Sequence, residues 1–230
     1  MMAGELVKVG LESRLELYGE SLVTRARNML LAQFLEFAEL YGFTHLFWLD
    51  ADVEWKPEAV LRLLLSYHDV CAGVYPHKQL LWPQEGLPQG MTRHQFEDRF
   101  TTYPFNPVNN EVDDDGFCEV HVATAGFMCI KRQVFYAMME RYPDLNYLPD
   151  GPRGNPRQRF HWRFFDCIQD ETNRALPEDY SFCRLWVGAG GKIYADANSM
   201  LNHLGHHLYK GDLRENLKRK SAPALSITVQ

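Results

Sequence analysis

Two aspartates, Asp50 and Asp52, follow an apolar run from His45 to Leu49 that has the length of a buried strand. Side chains at positions i and i+2 of a strand point the same way, so the two carboxylates can converge where the run ends. Crowded carboxylates repel one another and lose solvation, and a divalent cation offsets that cost. A hard ion held by oxygen atoms, Mn²⁺ or Mg²⁺, would bridge the pair to a diphosphate group. The motif therefore predicts a metal and diphosphate site.

An Asp-x-Asp tripeptide alone is most often a turn or a helix start, so its neighbours decide how it is interpreted. The apolar run predicts a strand before the motif, and Pro57 predicts the first turn of a helix after it. In open α/β sheets, ligands bind outside the carboxyl ends of the strands, where this pair falls. The order of strand, motif and helix favours a binding role over a simple turn.

Helical spacing of apolar residues alternates along the chain with short apolar runs. We expect helices at 23–40, 57–66, 132–142 and 178–187, and strands at 15–18, 45–49, 70–75 and 192–195, with two strand segments inside 118–130. Ser21 or Thr24 is expected to cap the first helix, and the strand at 70–75 is expected as a parallel neighbour of the strand at 45–49. Helices alternating with buried strands imply an α/β fold, with the sheet flanked by helices.

No repeat or linker divides the chain, so residues 1–230 are expected to form a single domain. Within it, residues 76–119 mix prolines, glycines, aromatics and charges without a period. Such long irregular stretches in compact domains are often binding loops or lids. The chain is expected to end in a tail that is basic from residue 210.

Composition excludes several classes of protein. A net charge of −6 argues against a mainly electrostatic grip on nucleic acid. No run approaches the about 20 apolar residues that span a bilayer, and the start lacks the apolar segment of a signal peptide. Five scattered cysteines, never spaced as CxxC, indicate reduced and mostly buried thiols. These features predict a cytoplasmic protein without a transmembrane segment.

Three further polar groups stand near the ends of predicted elements. The stretch 25–28 (Arg-Ala-Arg-Asn) begins the first long helix, Glu178 and Asp179 begin a later one, and His203 lies beyond the last predicted strand. Helix N-termini attract anions. Each group is therefore well placed to face a phosphate or a reacting hydroxyl, although each alone has an ordinary structural explanation.

Together these stretches resemble the GT-A glycosyltransferases, and among them the short family-2-like enzymes of bacteria, phages and large viruses. The similar stretches are SLVTRARN (21–28), HLFWLDADV (45–53), CAGVYPHK (71–78), VATAGFMCIKRQVF (122–135), PEDYSFCRLW (177–186), GGKIYADANSMLNHLG (190–205) and YKGDL (209–213). The resemblance implies a single GT-A-like domain with a mixed sheet. It also implies transfer of a sugar from a nucleoside-diphosphate donor to an acceptor hydroxyl of a glycan, lipid or protein, with Mn²⁺ or Mg²⁺ as cofactor.

The resemblance also implies roles for individual residues. Asp50 and Asp52 would hold the metal and the donor, and His203 would complete the metal sphere. Asp179 would be the catalytic base of an inverting reaction, and Glu178 would orient the acceptor. The other implied donor-site residues are Arg25, Arg27, Asn28, Thr124, Ala125, Gly126 and Lys210.

The chain departs from the pattern at its start. The fold usually begins with a strand and helix that hold the nucleoside base, but only twenty residues precede Ser21 here. We expect a shortened N-terminus, so a catalytically decayed nucleotide- or sugar-binding module is one alternative. A nucleotidyltransferase is another, although it would normally show a glycine-rich loop with a basic residue after its first strand, and none is visible.

Overall fold

Helices and strands alternate along the computed structural model, which describes residues 10–84, 86, 89–109, 111–150 and 159–218. In chain order they are α1 Val23–Tyr41, β1 His45–Leu49, β2 Val53–Glu54, α2 Pro57–Leu65, β3 Val70–Gly73, α3 Arg93–Phe100, β4 Phe117–Val120, β5 Phe127–Lys131, α4 Arg132–Arg141, a 3₁₀ turn Pro143–Leu145, α5 Glu178–Gly188, β6 Ile193–Asp196, β7 Asn202–Leu204, β8 Leu208–Tyr209 and α6 Leu213–Lys218.

Five strands form one sheet in the order β1-β5-β3-β6-β4, in which β3 and β6 are parallel and β4 and β6 antiparallel. A second sheet, β2-β7-β8, is antiparallel. The predicted α/β class, with a mixed sheet flanked by helices, is confirmed. The expectation that β3 lies beside β1 is wrong, because β5 occupies the place between them.

The chain divides into two compact units, residues 1–46 with 130–191 and residues 47–129 with 192–230. They are called the first and second unit below. The chain passes from one unit to the other within β1 and again within β5. The single-domain interpretation of the sequence stays a prediction.

In the first unit, α1 buries a stripe that includes Leu31, Leu35 and Ala38 at helical spacing. The helix ends at Gly42, whose left-handed φ of +79° brings its N–H onto the carbonyl oxygen of Ala38. The N-cap is Leu22, with no side-chain hydrogen bond. The predicted caps, Ser21 or Thr24, are therefore wrong.

Aromatic side chains fill the interior of the first unit. Phe165 and Phe182 stack nearly parallel, with ring centroids 4.8 Å apart, and both are fully buried. Phe135 of α4 packs against Phe182 of α5 and against Phe34 of α1. Each fully buried Phe side chain contributes about 1.5–3 kcal/mol of hydrophobic stabilisation.

The strand predicted at 15–18 is absent, since these residues carry no strand assignment in the structure. Leu15 and Leu17 are 70% and 88% exposed. Alternation of apolar residues indicates a strand only where a neighbouring strand supplies hydrogen bonds and a buried face.

In the second unit, residues 76–119 are more regular than the sequence indicates. Helix α3 begins with a capping box in which the Thr92 hydroxyl accepts from the Gln95 amide and the Gln95 side chain accepts from the Thr92 amide. The segment before it is tied to the helix end, because the Leu81 amide donates to the Phe100 carbonyl and the His77 amide to that of Thr102.

The region after β6 also holds more structure than the predicted tail. Strands β7 and β8 and helix α6 all lie between residues 202 and 218, and residues 219–230 of the basic tail lie outside the described residues. Such two- and three-residue strands have no detectable period of their own.

All of the five cysteines but Cys167 are buried, which confirms the mostly buried thiols predicted from their spacing. Burial raises the pKa of Cys118 to about 11, and the charges of Asp196 and Asp113 add to this effect. That thiol is therefore a packing group and not a nucleophile.

Candidate metal and diphosphate site

The chain turns directly after β1, between Asp50 and Val53. The Asp50 amide donates to the carbonyl oxygen of Gly126 at 2.9 Å, and the Val53 amide donates back to the Asp50 carbonyl at 3.2 Å. Asp52 therefore lies in a turn before β2 begins. The predicted position at a strand end is correct, but the strand alternation used to predict it does not extend through the motif.

Gly126 permits a close approach of two side chains to the backbone beside this turn. A methyl group in its place would come within 2.3 Å of Tyr75 Oη and 3.0 Å of Asp50 Oδ2. A contact of 2.3 Å does not occur without displacement, and one of 3.0 Å is unusually tight, so a side chain larger than glycine would shift Tyr75 and crowd Asp50.

His203 reaches the motif through the second sheet. Its Cα pairs with that of Val53 across β2 and β7, and the Leu204 amide donates to the Asp52 carbonyl at 2.7 Å. These contacts place Nε2 of His203 3.7 Å from Oδ2 of Asp52. Tyr75 packs edge-on against the imidazole, with ring centroids 4.9 Å apart.

The other ring nitrogen of His203, Nδ1, lies 2.8 Å from the carbonyl oxygen of Pro76. A carbonyl oxygen only accepts hydrogen bonds, so Nδ1 carries the proton. In the neutral ring, Nε2 then presents its lone pair towards Asp52. A backbone carbonyl on one nitrogen and a free lone pair on the other is the usual arrangement of a metal-binding histidine.

Lys78 brings a positive charge to the same carboxylate. Its Nζ lies 2.6 Å from Oδ2 of Asp52, and both side chains are partly exposed. Burial opposes ionisation of Asp52, but the hydrogen bond from Lys78 and the charges of Lys78 and His203 outweigh it, so the pKa of Asp52 lies below its ordinary value. Asp52 is thus an anion held by an ammonium group.

These groups fit a divalent cation by the chemistry of their donor atoms. Carboxylate oxygens and a neutral imidazole are ligands for Mn²⁺, and carboxylates suit Mg²⁺. Within the described ranges, no group of three or more His, Cys, Asp or Glu side chains is already assembled to hold a metal ion. The structure brings Asp52 and His203 together, with the Lys78 ammonium on the carboxylate that a metal would bind.

In the first unit, Arg27 and Asn28 have structural partners. Arg27 is buried, and its Nε lies 3.2 Å from Oε1 of Glu178. The Asn28 amide donates to Asp166 at 2.8 Å and accepts from the Phe165 amide at 3.0 Å. These contacts join α1 to α5 and to the segment before it. The predicted donor contacts of Arg27 and Asn28, and the predicted acceptor contact of Glu178, stay predictions.

Asp179 lies in the first turn of α5, as predicted, and is partly exposed. Its Oδ1 accepts a hydrogen bond from the Tyr180 amide at 2.8 Å. The nearby charge of Asp179 adds to burial in raising the pKa of Tyr180. Arg25 is exposed and pairs with Glu20 at 3.2 Å. The catalytic and binding roles of these residues stay predictions.

The remaining predicted donor-site residues lie in the second unit. Thr124 and Ala125 precede Gly126 in the turn that leads into β5. Lys210 is exposed, next to Tyr209 at the end of β8. Of these residues, Gly126 approaches the aspartate motif, since a methyl group on it would lie 3.0 Å from Asp50 Oδ2.

Three neighbours of the motif were missed by the sequence analysis: Tyr75, the carbonyl of Pro76, and Lys78. All follow β3, and the first two fell inside or beside the run predicted as a strand. Their place in the sequence could have identified them, since polar groups that follow a buried strand of an α/β sheet lie where ligands bind.

Comparison with known proteins adds little. No protein-family model matches the chain, and no curated protein matches it. Among solved structures, A197 from STIV is similar with a TM-score of 0.43 and 18% identity, over 90% of this chain and 84% of that chain. A likeness this distant carries no argument about activity. No helix among the described residues is long and apolar enough to cross a membrane.

Proposed function

We propose that the protein is a metal-dependent glycosyltransferase of the GT-A type, which transfers a sugar from a nucleoside-diphosphate donor to an acceptor hydroxyl. The proposal rests on the resemblance of the chain to these enzymes. It is supported by the cluster of Asp52, His203 and Lys78 beside the end of β1.

One observation carries the proposal furthest, namely the hydrogen bond between His203 Nδ1 and the Pro76 carbonyl. It directs Nε2 towards the Asp52 carboxylate, and in the neutral ring this nitrogen carries the lone pair. A divalent cation would be bound by both the neutral ring and the carboxylate, so the pair is suited to sharing a metal ion.

The residues of the proposed site would have separate roles in metal binding, phosphate binding and proton transfer. Asp50, Asp52 and His203 would hold the ion, which when bound neutralises charge on the diphosphate leaving group. The Lys78 ammonium, released from Asp52, would be free to pair with a phosphate oxygen. The resemblance gives Asp179 the role of the base that takes the acceptor proton, which contributes about 10²–10⁴ in rate.

A binding experiment tests the donor site. The melting temperature is measured with UDP, GDP, CDP or ADP, in MnCl₂ or in excess EDTA. We expect one nucleoside diphosphate to stabilise the protein in Mn²⁺ and much less in EDTA, because a ligand bound by the native state raises its melting temperature. Asp52→Asn should abolish the gain without unfolding the protein. Equal stabilisation in EDTA would exclude the metal bridge.

Turnover distinguishes an enzyme from the alternative binding module. Release of the nucleoside diphosphate is followed for each matching nucleotide sugar with a mixed acceptor pool. Asp179→Asn should keep donor affinity and lose turnover, a fall in kcat, and Glu178→Gln should lose less. Nucleotide binding without release of any sugar would favour the binding module.

A further inference from the structure

A cavity of about 580 Å³ lies in the second unit between α3, the segment before it, and β8. Its walls include Trp82, Phe96, Glu97, His207 and Tyr209. Small-molecule sites typically enclose about 300–1,000 Å³ and combine apolar walls with a few polar groups. The cavity has both properties, and none of the residues assigned above to the metal or donor lines it.

One wall of the cavity is the exposed indole of Trp82, which packs against a buried aromatic ring. Trp82 is 67% exposed, and its ring lies 4.5 Å from that of buried Phe96, which in turn packs on Phe100 at 5.0 Å. The aromatic series is fixed, while much of the indole surface stays open to solvent. A pyranose ring presents a face of C–H groups that packs against such a surface.

Besides the apolar wall, the cavity has hydrogen-bonding groups for a ligand, namely Glu97 and His207. The Glu97 carboxylate is buried, lies 2.7 Å from Arg93 Nε, and is 3.6 Å from Nε2 of His207. That nitrogen is buried and makes no hydrogen bond within the part of the chain that the structure describes. Buried polar atoms are normally satisfied. A ligand hydroxyl that reached both groups would satisfy His207 Nε2 and add a second hydrogen bond to Glu97.

The cavity is preformed. The capping box at Thr92 fixes the start of α3, and the bonds from residues 77 and 81 to residues 102 and 100 fix its end. Walls that are already ordered lose little conformational entropy when a ligand binds, so even a single sugar unit can be held.

The position of the cavity relates it to the metal cluster. Tyr209 is the cross-strand partner of His203 in β7–β8, and Leu80, another wall residue, follows Lys78 by two positions. Directly opposed residues of an antiparallel pair have Cα atoms about 4.5–5.5 Å apart. The cavity therefore adjoins the groups assigned to the diphosphate.

From these observations we propose that the cavity binds a saccharide unit of the acceptor, with Trp82 under the ring face and Glu97 and His207 on its hydroxyls. The acceptor role rests on the proposed glycosyltransferase function, whereas saccharide binding itself does not. The acceptor is accordingly a glycan or a glycoconjugate, and not a bare lipid or polypeptide.

Saturation-transfer NMR tests the cavity in EDTA, without nucleotide, using methyl glycosides of glucose, galactose, mannose and N-acetylglucosamine. We expect at least one to bind through one face of its ring. Trp82→Ala should weaken it by about tenfold, and Glu97→Gln should weaken it several-fold. Tyr67→Ala is the control, because Tyr67 is 83% exposed and does not line the cavity.

The outcomes separate this proposal from the preceding one, because neither metal nor nucleotide is present. No binding of any glycoside, or binding that Trp82→Ala leaves unchanged, would overturn the saccharide site, even if nucleotide binding were normal. Binding of 1-octanol in preference to every glycoside would overturn it in favour of an apolar ligand. Glycoside binding with the expected losses would support the site even if no transfer were detected.

Discussion

His203 donates from Nδ1 to the carbonyl oxygen of Pro76 at 2.8 Å, and this bond decides which nitrogen of the ring faces Asp52. The carbonyl belongs to the segment that leaves β3, whereas His203 belongs to β7. The tautomer of a histidine in the second sheet is thus set by the backbone that follows a strand of the first sheet.

The first prediction concerns this ring. His203→Ala should lower Mn²⁺-dependent nucleoside-diphosphate affinity by about tenfold or more, since the imidazole and its fixed tautomer are lost. Isothermal titration calorimetry with and without Mn²⁺ measures the change. His206→Ala, at an exposed histidine three residues along, is the control. An equal loss in both variants would show that the position of His203 is not special.

A second prediction concerns the ammonium group on Asp52. Lys78→Met should raise the affinity for Mn²⁺ alone by about 1.4- to fivefold, because an exposed ion pair worth about 0.2–1 kcal/mol no longer competes. Affinity for the nucleoside diphosphate in Mn²⁺ should fall. Electron paramagnetic resonance of free Mn²⁺ reports the first effect. Lys192→Met removes a comparable exposed pair with Glu119 and should change neither quantity.

The third prediction concerns the turn beside Asp50. Gly126→Ala should destabilise the protein by about 1–3 kcal/mol, since the added methyl group overlaps Tyr75 Oη and approaches Asp50 Oδ2. Urea unfolding measures the loss. Gly19→Ala, where no atom lies within 4 Å of the added methyl, should be nearly neutral. A Gly126→Ala protein with unchanged stability and nucleotide affinity would contradict the crowding argument.

A fourth prediction separates structure from ligand binding in the first unit. Arg27→Met or Glu178→Gln removes one side of a largely buried ion pair, so each should cost about 2–3 kcal/mol, somewhat below the figure for fully buried pairs. The double variant should cost less than the sum. If Arg27→Met lowers donor affinity but leaves the unfolding free energy unchanged, Arg27 acts on the ligand as the sequence predicts.

The fifth prediction concerns acid titration of Asp170. Its pKa is about 2, mainly because the Thr172 hydroxyl donates to it, with the Arg174 amide next. The folded pKa lies below the ordinary value, so this contribution to stability is complete above about pH 4 and is lost as pH falls towards about 2. Carboxyl NMR titration should show a higher pKa in Thr172→Val and little change in Thr172→Ser.

Elements with a clear apolar run or period could be predicted from the sequence. Strand β1 matches its prediction residue for residue, because Thr44 and Asp50 bound an unbroken run. Helices α1 and α5 match within one residue at each end. In contrast, β7 and β8 exist only through pairing with β2 and with each other, which no local pattern encodes. Helix α3 is polar, and its capping box was the signal that was overlooked.

In the candidate site, too, some features could be predicted from the sequence and others depend on tertiary packing. The proximity of His203 to Asp52 agrees with the place that the resemblance gives His203, although they are separated by most of the chain. The part of Lys78 was not predicted, because a lysine five residues beyond β3 has no distinguishing spacing. Likewise, the contacts of Arg27 and Asn28 with Glu178 and Asp166 depend on how α1 packs within its unit.

The hairpin of β7 and β8 carries His203 on one strand and Tyr209 opposite it on the other. Side chains alternate between the two faces of a strand, so inserting or deleting one residue in the intervening loop would exchange inward and outward positions along β8. Such a change would alter the cavity and disturb the strand that supports His203. Sequence change in the cavity is therefore constrained at β8. It is easier at Trp82 and the other wall residues before β4, which can change without altering the hairpin.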